Sequence, residues 1–274
     1  MIASTTLFAL GLAIWFFVSL DLVAVTIGAT TRFTVTGWIG RFVFGALRRI
    51  AKLGARPSIT AISGVAVMTA VALFWIVGTW LGWSLMFAAG AGSVEMTVTG
   101  AEPEPLSYAA HVGHLLSTLG GARTELGGLP WSLLGVLVGV NGMVVLTLSV
   151  SFLLSVRQTV DKGRAFAALQ NVGALRAGDA SERLAELVAG LHAAPFALWY
   201  GEPRVERQLP SALLDHARDA EARGGTAWRR TVFLLADLPH LDRETALDEP
   251  IPTLEAWAER HTIAELHHAR GAEA

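Results

Sequence analysis

Charged side chains are missing from three long stretches of this chain, and that absence constrains the fold more than any motif does. Residues 57–94 and 126–156 contain no Asp, Glu, Lys or Arg, and residues 1–31 contain only Asp21. A helix on the surface of a water-soluble domain needs polar groups on its outer face, whereas a helix in lipid excludes them. Charged residues make up 16% of the chain, against roughly a quarter in soluble domains. The pattern predicts an all-α membrane protein with three transmembrane helices, near residues 5–30, 59–89 and 130–156. Each exceeds the ~20 residues that cross a bilayer. The first has no basic leader and a longer apolar run than a secretory signal, so it reads as a span.

The basic residues orient these spans. Arg32, Arg41, Arg48, Arg49, Lys52 and Arg56 separate the first two, and Arg157, Lys162 and Arg164 follow the third. Between the second and third lie Glu95, Glu102, Glu104 and Glu125 against a single Arg123. Positive loops stay in the cytoplasm, which predicts an inner-membrane protein with its N-terminus outside and its C-terminus inside. In the segment 32–57, Trp38, Ile39, Phe42, Val43, Ala46, Leu47 and Ile50 recur at helical spacing, with Arg41, Arg48 and Lys52 on the other side. This predicts an amphipathic helix in the cytoplasmic interface, with membrane lipid as its partner. The competing reading packs the same helix on the protein's own soluble part. Asp21, the one acid in a span, is a functional candidate by default. The plainer expectation is a position near the cytoplasmic end, paired with an arginine of the following segment.

Between spans two and three, Pro103 and Pro105 precede a helix-compatible run from Ser107 to Ser117, followed at once by glycines. Ser107 is the expected cap. Eleven residues are too few to span, and a short helix with a glycine-rich return between two spans describes a re-entrant loop, here about 106–128. Such backbone is tolerated at membrane depth only when protein or water surrounds it.

The segment after that run reads Thr118-Leu119-Gly120-Gly121-Ala122-Arg123. It resembles the selectivity filter of bacterial tetrameric potassium channels, which has the form Thr-Val-Gly-Tyr-Gly-Asp after a pore helix. The resemblance covers about residues 59–160, the two-helix pore domain. Gly142 stands where that family carries an inner-helix hinge glycine, with Gly139 a turn before it, and the run from Asn141 to Leu154-Ser155-Val156 is also similar. The extra first span and a helical tail resemble the three-span members. The resemblance implies a homotetrameric pore that conducts inorganic ions.

The departures have physical consequences. A potassium filter replaces the ion's water with backbone carbonyls, a geometry that calls for residues tolerating positive φ. Ala122 stands in place of the second glycine, Gly121 in place of the bracing aromatic, and Arg123 in place of the acid at the mouth. The expectation is therefore ion conduction with weak or altered selectivity. The alternative is a non-conducting membrane scaffold or sensor that keeps the channel fold. Local alternatives accompany each residue. Gly120 and Gly121 could form a plain extracellular turn. Arg123 could pair with Glu125. Gly139 and Gly142 could serve close packing as well as a hinge. His111 and His114 share a helix face and could sense external pH, with packing the more ordinary use; two histidines without a third ligand predict no metal site.

Residues 165–274 hold 11 Arg and 17 Asp plus Glu. They read as a cytoplasmic domain of short helices near 181–193, 209–223, 226–236 and 252–269, entered through a linker at 172–180 with Ser181 as a cap. An acidic soluble part argues against nucleic acid as a partner. No Gly-x-Gly-x-x-Gly, Walker, HExxH or nucleophile–base arrangement occurs, so neither an enzyme nor a cofactor is expected.

Overall fold

The structure is a computed structural model and describes residues 2–28, 34–53, 57–101, 103–119, 123–175, 177–202, 204 and 207–263. Among these residues the fold is all-α apart from one two-stranded ribbon. The chain contains α1 (Ile2–Thr26), α2 (Val35–Leu53), α3 (Pro57–Ala89), β1 (Val94–Met96), α4 (Pro105–Leu116), β2 (Thr124–Leu126) and α5 (Leu129–Asn171). There follow α6 (Ala177–Ala193), a 3-10 helix (Pro195–Trp199), α7 (Leu209–Arg223), α8 (Gly225–Leu235), α9 (Arg243–Asp248) and α10 (Pro250–His261). Three of these helices, α1, α3 and α5, are long and apolar enough to cross a membrane.

The chain forms two compact units. One comprises Met1–Ile27, Phe33–Thr36 and Val71–Ser151; the other comprises Gly28–Arg32, Gly37–Ala70 and Phe152–Ala274. Both α3 and α5 therefore contribute to each unit. In the first unit, small residues let α1 and α3 meet backbone to backbone. A Cβ on Gly11 would lie 2.6 Å from the Gly82 carbonyl oxygen, and one on Gly78 would lie 2.7 Å from Val18 Cγ2. Close approach of this kind replaces the hydrophobic drive that is absent between helices in lipid. The core gathers Trp83, Met86, Phe87, Val94, Tyr108, Val112 and Val138. Asn141 of α5 accepts from Trp15 Nε1 at 3.0 Å and from Trp83 Nε1 at 2.8 Å, tying three helices to one amide oxygen.

Asp21 lies on the packed stripe of α1 with Val18, Leu22 and Val25, all buried. Its carboxylate accepts from the Thr36 backbone N–H at 3.3 Å, from the Thr36 hydroxyl and from Trp75 Nε1 at 3.1 Å. Among the described residues these partners are neutral donors and no arginine pairs with Asp21; Arg32 and Arg56 of the following segment lie outside the described residues. The Thr36 amide belongs to the first turn of α2, so Asp21 caps that helix from a neighbouring one, where its charge also suits the helix dipole.

In the second unit, glycines of two helices admit aromatic rings from the 3-10 helix region. A Cβ on Gly40 would lie 2.0 Å from Trp199 Cζ3, and one on Gly64 would lie 2.3 Å from Tyr200 Cγ. Ser63 Oγ donates to the Trp199 carbonyl at 2.8 Å. One side of α2 is thus packed on this protein's own chain, while Trp38 and Phe42 stack on each other, exposed, with Arg41 and Arg49 also exposed. The packed side fits the reading in which the helix rests on the protein's own chain, and the other side is exposed.

Helix α5 continues beyond the apolar run to Asn171, because no glycine or proline stops it until Gly173 at φ 63; it runs unbroken past the expected boundary at 160–165. Ser181 is inside α6 and does not cap it, and α9, unforeseen in the sequence, is capped by Asp242 accepting from the Thr245 N–H. The expected helix at 252–269 is α10, which ends at His261, with residues beyond 263 outside those described. Trp257 Nε1 donates to the Pro239 carbonyl at 2.8 Å, and His240 Nδ1 meets His261 Nε2 at 3.3 Å. His261 Nδ1 faces the Trp257 carbonyl at 2.8 Å and so carries its hydrogen. Burial, more than any neighbouring charge, holds the His261 pKa down at about 4, which keeps this imidazole neutral at pH 7.

Candidate functional site

Helix α4 begins at Pro105, which needs no N–H partner in a first turn. Its N-cap is Glu104, without a side-chain cap bond, so Ser107 lies inside the helix and the expected cap is not used. The buried side of α4 carries Tyr108, His111 and Val112. Trp80 of α3 donates from Nε1 to the Ala109 carbonyl at 2.7 Å. At the other end, a Cβ on Gly142 would lie 2.2 Å from the Leu116 carbonyl oxygen and 2.9 Å from its C and Cα. The C-terminus of α4 therefore rests directly on the α5 backbone.

That contact fixes where α4 ends along α5. Gly142 is thirteen residues into α5, or about 20 Å along its axis. Helix α4 touches both α3 and α5, and its C-terminus lies against Gly142. Gly142 thus serves close packing, while Gly139, whose Cβ would sit 3.7 Å from the Leu115 oxygen, has ordinary room.

The chain turns at once. The Thr118 N–H donates to the Leu115 carbonyl and the Leu119 N–H to the His114 carbonyl, each at 3.0 Å. This is a Schellman closure with Thr118 in the left-handed position, at φ 62, where glycine is usual. A β-branched residue there costs about 1–2 kcal/mol. The sequence reading placed positive φ on the glycines and missed Thr118. Leu119 is 78% exposed. Gly120, Gly121 and Ala122 lie outside the described residues. Arg123 is exposed and makes no ion pair among the described residues, with Glu125 or otherwise.

The returning limb is anchored from two sides. The Arg123 carbonyl accepts from the Thr97 N–H at 3.1 Å. Next to it, the Thr124 hydroxyl meets His111 Nδ1 at 2.8 Å. Strands β1 and β2 pair antiparallel, Met96 opposite Thr124, Glu95 opposite Glu125 and Val94 opposite Leu126. Alternation turns Val94 and Thr124 inward and leaves the two glutamates together on the outer side. His114 is half-buried one turn after His111. No group of three metal-ligating side chains occurs among the described residues.

Helix α5 packs with Val138, Val145, Ser149 and Phe152, all buried. Its opposite side is open. Before Gly142 that side presents Leu133, Val136 and Val140, exposed. After it come exposed Val144 and Leu154 and, among them, the exposed hydroxyls of Thr147 and Ser151, which donate to the carbonyls of Met143 at 2.8 Å and Thr147 at 2.9 Å. Each hydroxyl proton is satisfied within the helix, and each oxygen still offers lone pairs outward. Sequence reasoning missed this stripe, although its spacing of four residues was legible.

No family model and no solved structure matches this chain. A stretch of 136 residues, 48% of the chain, is 25% identical to a protein described as uncharacterized membrane protein YdjJ of Bacillus subtilis (strain 168), and it covers 38% of that protein. The chain therefore spans well under two thirds of this relative's length. With the three long apolar helices, the likeness supports a membrane protein and assigns no activity.

Proposed function

We propose that this chain is a channel-like pore protein of the potassium channel kind, assembled as a homotetramer, which conducts ions with weak or altered selectivity. The observation that carries the reading is the seat of Leu116 on Gly142. A short helix ending about 20 Å along a spanning helix, followed by a turn and a return to the same end, is what a re-entrant pore loop requires. The exposed side of α5, with Thr147 and Ser151 set among apolar residues such as Val144 and Leu154, is available to line a pore in a ring of copies. One loop per chain makes a closed pore only in a ring of copies.

In this reading the N-terminus is outside and the C-terminus cytoplasmic in the inner membrane, and the exposed side of α2 rests on anionic lipid. The chain contains no cysteine, so single introduced cysteines report position cleanly. Cysteine at Gly100 should react with impermeant reagent from outside, and a label at Phe42→Cys should be quenched by headgroup-attached quenchers from inside. The reverse sidedness would overturn the orientation.

Flux tests the function. Purified protein in liposomes should move potassium and sodium at similar rates. Arg123→Asp should raise cation flux roughly tenfold, because a ring of positive charge at the mouth becomes a ring of negative charge. Strong potassium selectivity in the unmodified protein would contradict the altered filter. If neither protein moves any ion, the non-conducting scaffold becomes the better reading.

A further inference from the structure

His111 is only 2% exposed, and its Nε2 is buried with no hydrogen-bond partner among the described residues. Its other nitrogen, Nδ1, contacts the Thr124 hydroxyl at 2.8 Å. A neutral imidazole holds one proton on two nitrogens. If Nε2 held it, a buried donor would be orphaned, which native structures rarely accept. The lower-energy arrangement places the hydrogen on Nδ1, donating to Thr124, and leaves Nε2 bare.

We propose that His111 is the positioning residue for the outer end of the filter-like segment, and that it holds this segment only while its ring is neutral. Thr124 directly follows Arg123, whose carbonyl is held by the Thr97 N–H. The His111 bond is therefore the second of two anchors that set where the Arg123 side chain stands. A second proton on the ring would create a buried charged donor at Nε2 with no acceptor among the described residues. The charged or titratable groups nearby do not change this. His114 on the same helix and Arg123 on the limb are of like sign, while Glu125 and Glu95 alternate to the outer side of the ribbon, away from Thr124. Acid should free the limb. The inference rests on the pore reading only for the role that the limb plays at the mouth.

Hydrogen exchange on the full-length protein in nanodiscs tests it, followed in peptides covering Thr97 and residues 123–127 and corrected for intrinsic rate. In the unmodified protein, protection should fall several-fold, up to the limit of about tenfold for one imidazole, between pH 7.5 and pH 5.5. Thr124→Val, nearly isosteric, should be unprotected at both values. His111→Asn, whose amide can occupy the Nδ1 place and does not ionise, should remain protected at both. Unchanged protection of α3 in each variant confirms that the fold is intact. Equal protection of the unmodified protein at the two pH values, or full protection in Thr124→Val at pH 7.5, overturns the proposal. Absence of ion flux in every variant would count against the pore reading alone and leave the exchange result standing.

Discussion

Gly142→Ala should destabilise the protein by about 3 kcal/mol, and Gly142→Val by more, while Gly139→Ala should be close to neutral. The difference follows from what each new Cβ would meet. At Gly142 the nearest atoms are the Leu116 oxygen at 2.2 Å and its C and Cα at 2.9 Å. All three are backbone, so no rotamer change relieves the clash and α4 itself must move. At Gly139 the nearest atom is the Leu115 oxygen at 3.7 Å, an ordinary contact, and alanine is the better helix former by about 1 kcal/mol. Equilibrium unfolding in mild detergent would measure both. A hinge role alone would make the two alanine variants equally stable and alter only gating. Wild-type stability in Gly142→Ala would remove the evidence that α4 reaches this depth, and with it the main support for a pore.

The second large effect belongs to Asp21. Asp21→Ala should cost about 3 kcal/mol, because it removes the acceptor of the buried Thr36 N–H and O–H together, although the Thr36 oxygen keeps the Trp75 Nε1 donor at 3.1 Å. It also removes the charge that caps α2, so the first turn of that helix should fray. Asp21→Asn keeps an oxygen for the Thr36 N–H, and the Thr36 hydroxyl can rotate to accept from the new amide, so the loss should be about 1 kcal/mol. Unfolding measurements, with hydrogen exchange over residues 35–40, would separate the variants. If Asp21→Ala exchanges and unfolds like the parent, the carboxylate does not organise this end of the span.

Much of the architecture was legible because lipid makes local composition decisive. A spanning segment must satisfy its own backbone and exclude charge, so uncharged runs at 57–94 and 126–156 announce their helices without knowledge of any neighbour. The alternation of Trp38 and Phe42 with arginines announced an amphipathic helix for the same local reason, and so did the short apolar run that became α4. Helix ends were less legible. Ser107 and Ser181 have the right chemistry to cap, but Pro105 and Ala177 start their helices earlier, because caps compete with whatever the adjoining turns pack against.

What only the tertiary structure decided are the relations between residues far apart in the chain. Trp15 and Asn141 share a hydrogen bond across 126 positions, and no window of sequence encodes that pairing. An arginine in the next segment was an equally good local partner for Asp21 until Thr36 and Trp75 supplied donors in the packed interior. Gly139 and Gly142 are indistinguishable as letters, and only the seat of Leu116 separates a position that must be glycine from one that need not be. Thr118 takes the left-handed turn because α4 has to stop against α5 at that point. Composition chose the solvent and hence the helices; close contact between backbones, which depends on three-dimensional packing, chose their depths and their partners.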